Sequence, residues 1–582
     1  MHVGGVEVGE AAEALERYLG DPMLATNQVS FSRSVHLDEI EAFPRAMLRR
    51  LQTVGTQSHL VPRELGGNFE AFDELMALNR VISRRDLTLA IAYGQTYLGA
   101  APIWVGGSDT LKRQLADIIL NGGAGALALT EEEHGSDVLA SEFFAQRVDG
   151  GFLLSGRKWL INNGTEGKTL TIFARTATNG GPRGFSLFLF DRERAAPSCV
   201  RPVPKVLTLG IRGADISGIE LERCFVPDAA LVGDVGLGLE ITLKALQITR
   251  TLCAGFSLGA ADSAIRLAAR FAAERRLYQG FALDIPDVRA QLSEAFLDLL
   301  AADIVSRAGA RALHVSTEQM SVWSAVVKYF VPTLSEEITR TSAGILGARH
   351  YLRGGHASGV FQKLLRDNSL IGLFDGSAAV NLQAIAQNLR TLLSAGLAGE
   401  QATLPDRLAR IFNPKCPLEA FVPNRLEVFC RGADDAVGGL PATLERISKV
   451  HAHDSIVPSL AAELLLARDE IATEVTELHA KVGTAAIRTA EMMQLARRYC
   501  ALHCAASCLH TLVWSALAPE AIATMPAIVD RLLGRARIAR RSRVGVDRDA
   551  IIGWLQRLID QHLAMSVVPF PLAKSGAVEE NP

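Results

Sequence analysis

The stretch EFFAQRVDGGFLLSGRKWLINN, residues 142–163, decides how the chain divides. Apolar and polar residues alternate on both sides of Asp149-Gly150-Gly151, the pattern of two strands joined by a tight turn. TLTIFART (169–176), GFSLFLFD (184–191) and ISGIELERCFVP (216–227) continue the alternation. On either side the period is helical. AFDELMALNRVISRRDLTLAIAYGQTYLGAAPIWVGG (71–107) precedes the strands. LEITLKALQITRTLCAGFSLGAADSAIRLAARFAAERRLY (239–278) and VRAQLSEAFLDLLAADIVSRAGARAL (288–313) follow and read as long amphipathic helices. The expected fold class is α+β, mostly α. An N-terminal helical domain covers 1–125, a middle β-barrel-like domain 126–232 and a four-helix bundle 233–395. AGLAGEQATLPD (395–406) reads as a linker to an extra helical bundle over 407–572, and the tail KSGAVEENP reads as disordered.

With 48% apolar and 21% charged residues, the 582-residue chain has the composition of a globular protein with large cores. Its net charge of −3 gives no global case for nucleic acid or membrane. The first residues lack a secretory pattern, and no apolar run approaches the ~18 residues of a membrane span. Cys500, Cys504 and Cys508 share a helical face and read as buried structural thiols, not a metal site. The expected compartment is a reducing cytoplasm.

Several residues ask for a chemical role. Asp375 stands in LLRDNSLIGLFDGSAAV (364–380), an otherwise apolar and small-residue run. Asp-Gly is a common turn dipeptide, and a carboxylate among apolar neighbours is also a proton-transfer base whose pKa its surroundings raise toward working pH. Arg250 is a lone cation in QITRTLCAG (247–255). LTEEEHGSD (129–137) offers hydroxyls at Thr130 and Ser136 and a glycine at 135 where a ligand can approach the backbone. GRKWLINNG (156–164) ends a strand, and ERRLYQG (274–280) ends a helix with adjacent cations.

In this order the pieces resemble the acyl-CoA dehydrogenase family, whose pattern reads LTEPGAGSD, GxKxWITNG, a helix ending ERxxFG, then RDxxxxxIYEGTS. RDNSLIGLFDGSA (366–378) is the last match; VPRELGG (61–67) and GLGLEITLKALQITR (236–250) resemble two further family segments. The resemblance covers roughly residues 40–395 and implies FAD as cofactor. It implies flavin contacts for Leu127, Leu129, Thr130, Gly135, Ser136, Leu160, Ile161, Asn162 and Ser377, and phosphate-side contacts for Arg275 and Leu277 across a subunit interface. Ser136, Arg250 and Gly376 are implied at the acyl thioester. Asp375 occupies the place of the catalytic glutamate, and Arg250 positions it or the thioester. The implied reaction is α,β-dehydrogenation of a thioester on CoA or a carrier protein, with electrons passed to an electron-transfer flavoprotein or another acceptor. A homodimer is expected, without nucleic acid; contact with a membrane surface stays open.

The chain also departs from the family. Asp375 is one methylene shorter than glutamate, about 1.5 Å less reach. The alternative family position for the base is Thr249 here, so no second carboxylate competes. Leu160 replaces an aromatic and Asn162 a threonine; GILGARHY (344–351) replaces QIFGGNGY, with Gly344 and Ala348 at altered places. Two other readings stay open. One is a repurposed flavoprotein such as a flavin monooxygenase. The other is a DNA- or membrane-binding scaffold acting through RLLGRARIARRSR (531–543), with Arg535, Arg537, Arg540 and Arg541; the same stretch also reads as a solvated charged face.

Overall fold

The computed structural model describes residues 9–394, 403–450, 456–538, 542 and 544–580. Principal helices in chain order are α1 (Glu10–Leu19), α2 (Phe72–Ser83), α3 (Leu87–Gly106), α4 (Gly238–Glu274), α5 (Pro286–Val315), α6 (Met320–Leu346), α7 (Val360–Asn368) and α8 (Ala378–Ser394). Farther on come α9 (Ile456–Val482), α10 (Ala490–Trp514) and α11 (Pro519–Ala536). The strands are β1 (Gly125–Ala128), β2 (Phe144–Val148), β3 (Gly151–Asn162), β4 (Thr169–Arg175), β5 (Phe185–Asp191), β6 (Val200–Val203), β7 (Ile216–Pro227) and β8 (Leu231–Val232). A small hairpin, β9 (Arg276–Leu277) with β10 (Gly280–Phe281), follows α4. The chain forms two compact units. The first takes its described residues from Met1–Ser32, Ala71–Arg85 and Arg250–Glu580, the second from Arg33–Glu70 and Asp86–Thr249.

The second unit is built on a mixed sheet of order β6-β7-β3-β2-β4-β5-β8, with β1 parallel to β4. The turn expected at Asp149-Gly150-Gly151 is present: Val148 pairs with Gly151, and Gly150 takes φ 74°, which glycine adopts without strain. Inward residues of the alternating strands make one apolar core, where the Phe152 and Phe188 rings meet edge-on at 4.9 Å. Asp86 caps α3 by accepting from Thr88 N and Leu89 N. Gly99 lets α3 lie against β1, since a Cβ there would stand 2.7 Å from the Ala126 backbone. Cys199 and Cys224 are joined by a disulfide, a pairing the sequence did not lead us to expect.

The first unit is helical. Segment 239–278 corrects the amphipathic expectation. Through Ile248, Leu252, Phe256, Ala260, Ile265 and Ala272, α4 is buried around its circumference, as a central helix must be. Chain past Arg275 leaves the helix as the β9–β10 hairpin. A charge cluster ties sequence-distant pieces of this unit together. Arg80 of α2 donates to Asp303 Oδ1 at 2.7 Å, Asp262 Oδ2 at 3.1 Å and the Met565 carbonyl at 2.8 Å. Asp262 also accepts from Arg266 and Met565 N. Glu16 of α1 binds Arg84 and Arg85 and accepts from Ala573 N.

Beyond α8, the described arginines of the basic stretch are paired internally. Arg531 pairs with Asp298 and Glu294, Arg535 with Glu337, and Arg537 with Glu470 and Glu463. Arg540 and Arg541 lie outside the described residues. Cys500, Cys504 and Cys508 are buried on α10. Among the described residues no group of three or more His, Cys, Asp or Glu is placed to hold a metal ion.

Burial alone would raise the Asp262 carboxyl, but Arg266 and Arg80 outweigh it and hold it at about 2, below its ordinary 3.8. A depressed carboxyl stabilises the fold above its ordinary value and loses that contribution as pH falls toward the folded value. The thermal midpoint should therefore fall steeply from about pH 4 to about 2. Asp262→Asn, which strands the buried Arg266 and leaves Arg80 with Asp303 alone, should lose about 3–5 kcal/mol at neutral pH and show a flatter acid slope. Thermal melts of both proteins across that range check this.

Candidate active site

In the second unit the site residues gather where β1 and β3 end. Leu127 is buried within β1, and Leu129 and Thr130 follow it. Thr130 O accepts from Trp159 N at 3.0 Å, so the loop starts zipped to β3. Beneath it lies Lys158, fully buried, whose ammonium donates to Leu129 O at 2.9 Å, Glu131 Oε1 at 2.6 Å and Ser141 Oγ at 3.1 Å. Glu131 accepts in addition from Glu142 N at 2.8 Å and Phe143 N at 3.1 Å. One ion pair thus holds both ends of the 129–143 loop and leaves Gly135 and Ser136 exposed at its crest. Burial pulls the Lys158 ammonium down to about 8, while Glu131 opposes it. Burial alone would raise Glu131; Lys158 reverses that and holds the carboxylate low.

Strand β3 loses register against β7 between Lys158 and Ile161. Leu160 there takes φ 53° and is 37% exposed, while Ile161 returns to the core. Such irregularities re-aim side chains beside functional sites. Asn162 Oδ1 is buried without a hydrogen-bond partner. An orphaned buried acceptor costs about 1–3 kcal/mol, which a donor on a bound molecule would recover. Isoalloxazine carries a ring N–H, so this strand end fits a flavin; Thr130 and Asn162 would hold the ring, with Ser136 on the loop crest.

The other centre lies in the first unit, on the turn between α7 and α8. Asp375 takes φ 56°, a left-handed conformation that aspartate tolerates better than most residues, and Gly376 follows with φ 96°. A Cβ at Gly376 would stand 3.0 Å from the Arg250 guanidinium, so the position requires glycine. Side chains from three helices grip this turn. From α4, Arg250 Nε donates to the Asp375 carbonyl at 2.8 Å. From α6, Lys328 donates to the Ile371 carbonyl and lies 4.6 Å from the Phe374 ring centroid. From α8, Asn381 Nδ2 donates to Gly376 O at 2.8 Å and Ser377 O at 3.0 Å. The Asp375 carboxylate points toward α4, where the buried Cys253 thiol lies 3.7 Å from Oδ2. Burial lowers the affinity of Lys328 for its proton and raises that of Cys253.

The structure therefore brings Arg250, Asp375, Gly376 and Ser377 together: Asp-Gly is a turn, and the Asp375 carboxylate is directed toward α4. Ser377 Oγ is engaged at the start of α8, accepting from Val380 N at 3.4 Å. Thr249 is buried and offers no carboxylate. Arg275 is exposed at the end of α4, and Leu277 sits in the hairpin. Gly344 is exposed in the last turn of α6, and Ala348 lies in the turn Gly347–Tyr351. Sequence reasoning missed the Lys158–Glu131–Ser141 brace, Cys253, Lys328 and Asn381. The signal for Lys328 was available: it is a lone cation in the apolar run SVWSAVVKYFVP (321–332), which buries it or gives it a task.

Lys158→Met should leave Glu131 buried and unpaired, a loss of about 3–5 kcal/mol. Hydrogen exchange should quicken at the Glu142 and Phe143 amides before it does in the sheet core. Unchanged exchange at those amides would refute the brace.

Comparison with known proteins accounts for this arrangement. The acyl-CoA dehydrogenase middle domain matches residues 126–224, and the acyl-CoA dehydrogenase C-terminal domain matches residues 236–390. The 2-methylacyl-CoA dehydrogenase of Solanum tuberosum is 28% identical over 247 residues, 42% of this chain and 59% of its own length. Probable acyl-CoA dehydrogenase FadE25 of Mycobacterium tuberculosis is 23% identical over 357 residues, 61% of this chain and 90% of its own. The fold of an acyl-CoA dehydrogenase from Bacillus anthracis, solved in complex with FAD, superposes with a TM-score of 0.67 at 15% identity, over 96% of this chain and 99% of that one. The chain thus carries, over residues 126–224 and 236–390, two consecutive domains similar to the middle and C-terminal domains of acyl-CoA dehydrogenases.

Proposed function

We propose that the chain is an FAD-dependent oxidoreductase that converts an acyl thioester, carried on CoA or a carrier protein, to its trans-2-enoyl form, with Asp375 as the base. The inward carboxylate of Asp375, on a turn gripped by Arg250 and Lys328, carries the reading. FAD, when bound, supplies the acceptor for the hydrogen that leaves the β-carbon with its electron pair.

Asp375 takes the α-proton onto its carboxylate. The Gly376 N–H donates to the thioester carbonyl and stabilises the enolate that develops there, as an oxyanion hole does. Arg250 keeps the carboxylate and that N–H in fixed relation by holding the Asp375 carbonyl. A 1 Å error in such placement can cost about 100-fold in rate, so a shorter side chain demands a firmly held turn. Thr130, Ser136 and Asn162 hold the flavin side, and Lys158 keeps their loop in place. The same reading takes the electrons on to an electron-transfer flavoprotein or another acceptor and places a homodimer in the cytoplasm.

Anaerobic mixing with butyryl-, octanoyl- and palmitoyl-CoA and with branched short-chain acyl-CoA esters should bleach the flavin absorbance for at least one of them. Asp375→Asn should slow that bleaching by about 10²–10⁴-fold, the range of general-base catalysis. Bleaching at the wild-type rate in the variant would overturn Asp375 as base. Oxygen consumption that needs NADH, with no bleaching by any thioester, would instead favour a monooxygenase.

A further inference from the structure

Helix α4 reaches the base turn twice, one helical turn apart, with Arg250 and Cys253 on the same face. The two contacts differ in kind. Arg250 holds the backbone carbonyl of Asp375, whereas Cys253 lies against its carboxylate, Sγ 3.7 Å from Oδ2. Cys253 is 3% exposed, and burial pushes its thiol well above the ordinary range. It therefore keeps its proton at neutral pH and faces the carboxylate as a donor, not as a competing anion. The Asp375 side chain is half-buried at a turn whose backbone is held from three helices.

We propose that Cys253 is a positioning residue: its thiol hydrogen-bonds the Asp375 carboxylate and selects the inward rotamer from which the α-proton is taken. This rests on Asp375 being the base. The contact offsets the missing methylene differently from a longer side chain. The turn is pinned by its backbone, and a weak donor aims the short carboxylate without sequestering it. A thiol suits the task, because a hydroxyl or ammonium would bind the carboxylate more strongly and lower its basicity.

The S–H stretching band lies in an infrared window free of other protein absorption and reads the contact without any substrate. Cys253→Ala should remove one band, which identifies it. In Asp375→Asn that band should move to higher frequency, because a neutral amide oxygen is a weaker acceptor than a carboxylate. With the acyl-CoA ester that bleaches the flavin, Cys253→Ala should lower kcat about tenfold with KM nearly unchanged, the size expected for one hydrogen bond to a charged group. Cys253→Ser, which keeps a donor, should lose less than Cys253→Ala. A Cys253 band indifferent to Asp375→Asn overturns the proposal, as does wild-type kcat in Cys253→Ala. If the band shifts but Asp375→Asn turns over at the wild-type rate, the contact stands while the base assignment and the catalytic half of the proposal fall.

Discussion

A single charge-assisted hydrogen bond, Arg250 Nε to the Asp375 carbonyl at 2.8 Å, is the contact on which the Asp375–Gly376 turn depends. Without it the chain between α7 and α8 would have little reason to adopt two successive left-handed residues. A non-glycine residue in that conformation costs roughly 1–2 kcal/mol. A hydrogen bond to a charged group returns about 1.5–3 kcal/mol, enough to decide the conformation, and the grips of Lys328 and Asn381 add to it. Gly376 is the other half of the arrangement, since any side chain there would meet the guanidinium. Backbone strain, a buried cation and a glycine are thus one device.

The second unit solves an analogous problem with a different balance. Its 129–143 loop carries three consecutive acidic residues and anchors an apolar side chain, Phe143, in the core only at its far end. Lys158 supplies the anchor from below, at the expense of burying an ammonium, and three hydrogen bonds to Leu129 O, Glu131 and Ser141 offset that burial. The strand that provides Lys158 then breaks register and resumes pairing at Ile161 and Asn162, where the Asn162 side-chain oxygen is left buried without a partner.

How much of this could be read from the sequence depended on how local the physics is. The hairpin at Asp149-Gly150 was legible because a tight turn writes its own residues into the chain. Asp375 was legible because a carboxylate among apolar neighbours is an anomaly at any fold. The register break after Lys158 was not, since period-2 alternation gives no sign of a bulge. Cys253 was invisible because a buried thiol on an apolar helix looks like packing. The pairing of Arg531, Arg535 and Arg537 was not legible for the opposite reason. The charges are conspicuous, but their partners Asp298 and Glu337 stand on helices far earlier in the chain. The amphipathic reading of α4 failed because a helix surrounded by other helices has no polar face to show.

Those ion pairs have a consequence for the architecture of the polypeptide beyond α8. Asp298 on α5 is nearly sealed from water, and its counter-charges Arg531 and Arg535 come from α11. Trp323 of α6, the largest fully enclosed side chain among the described residues, sits 4.6 Å from the His503 ring of α10. The additional bundle is therefore not an appendage on a self-sufficient core. Ending the chain after α8 would uncover an indole and strand a carboxylate in a low-dielectric setting, so excision or grafting of this segment needs compensating changes on α5 and α6.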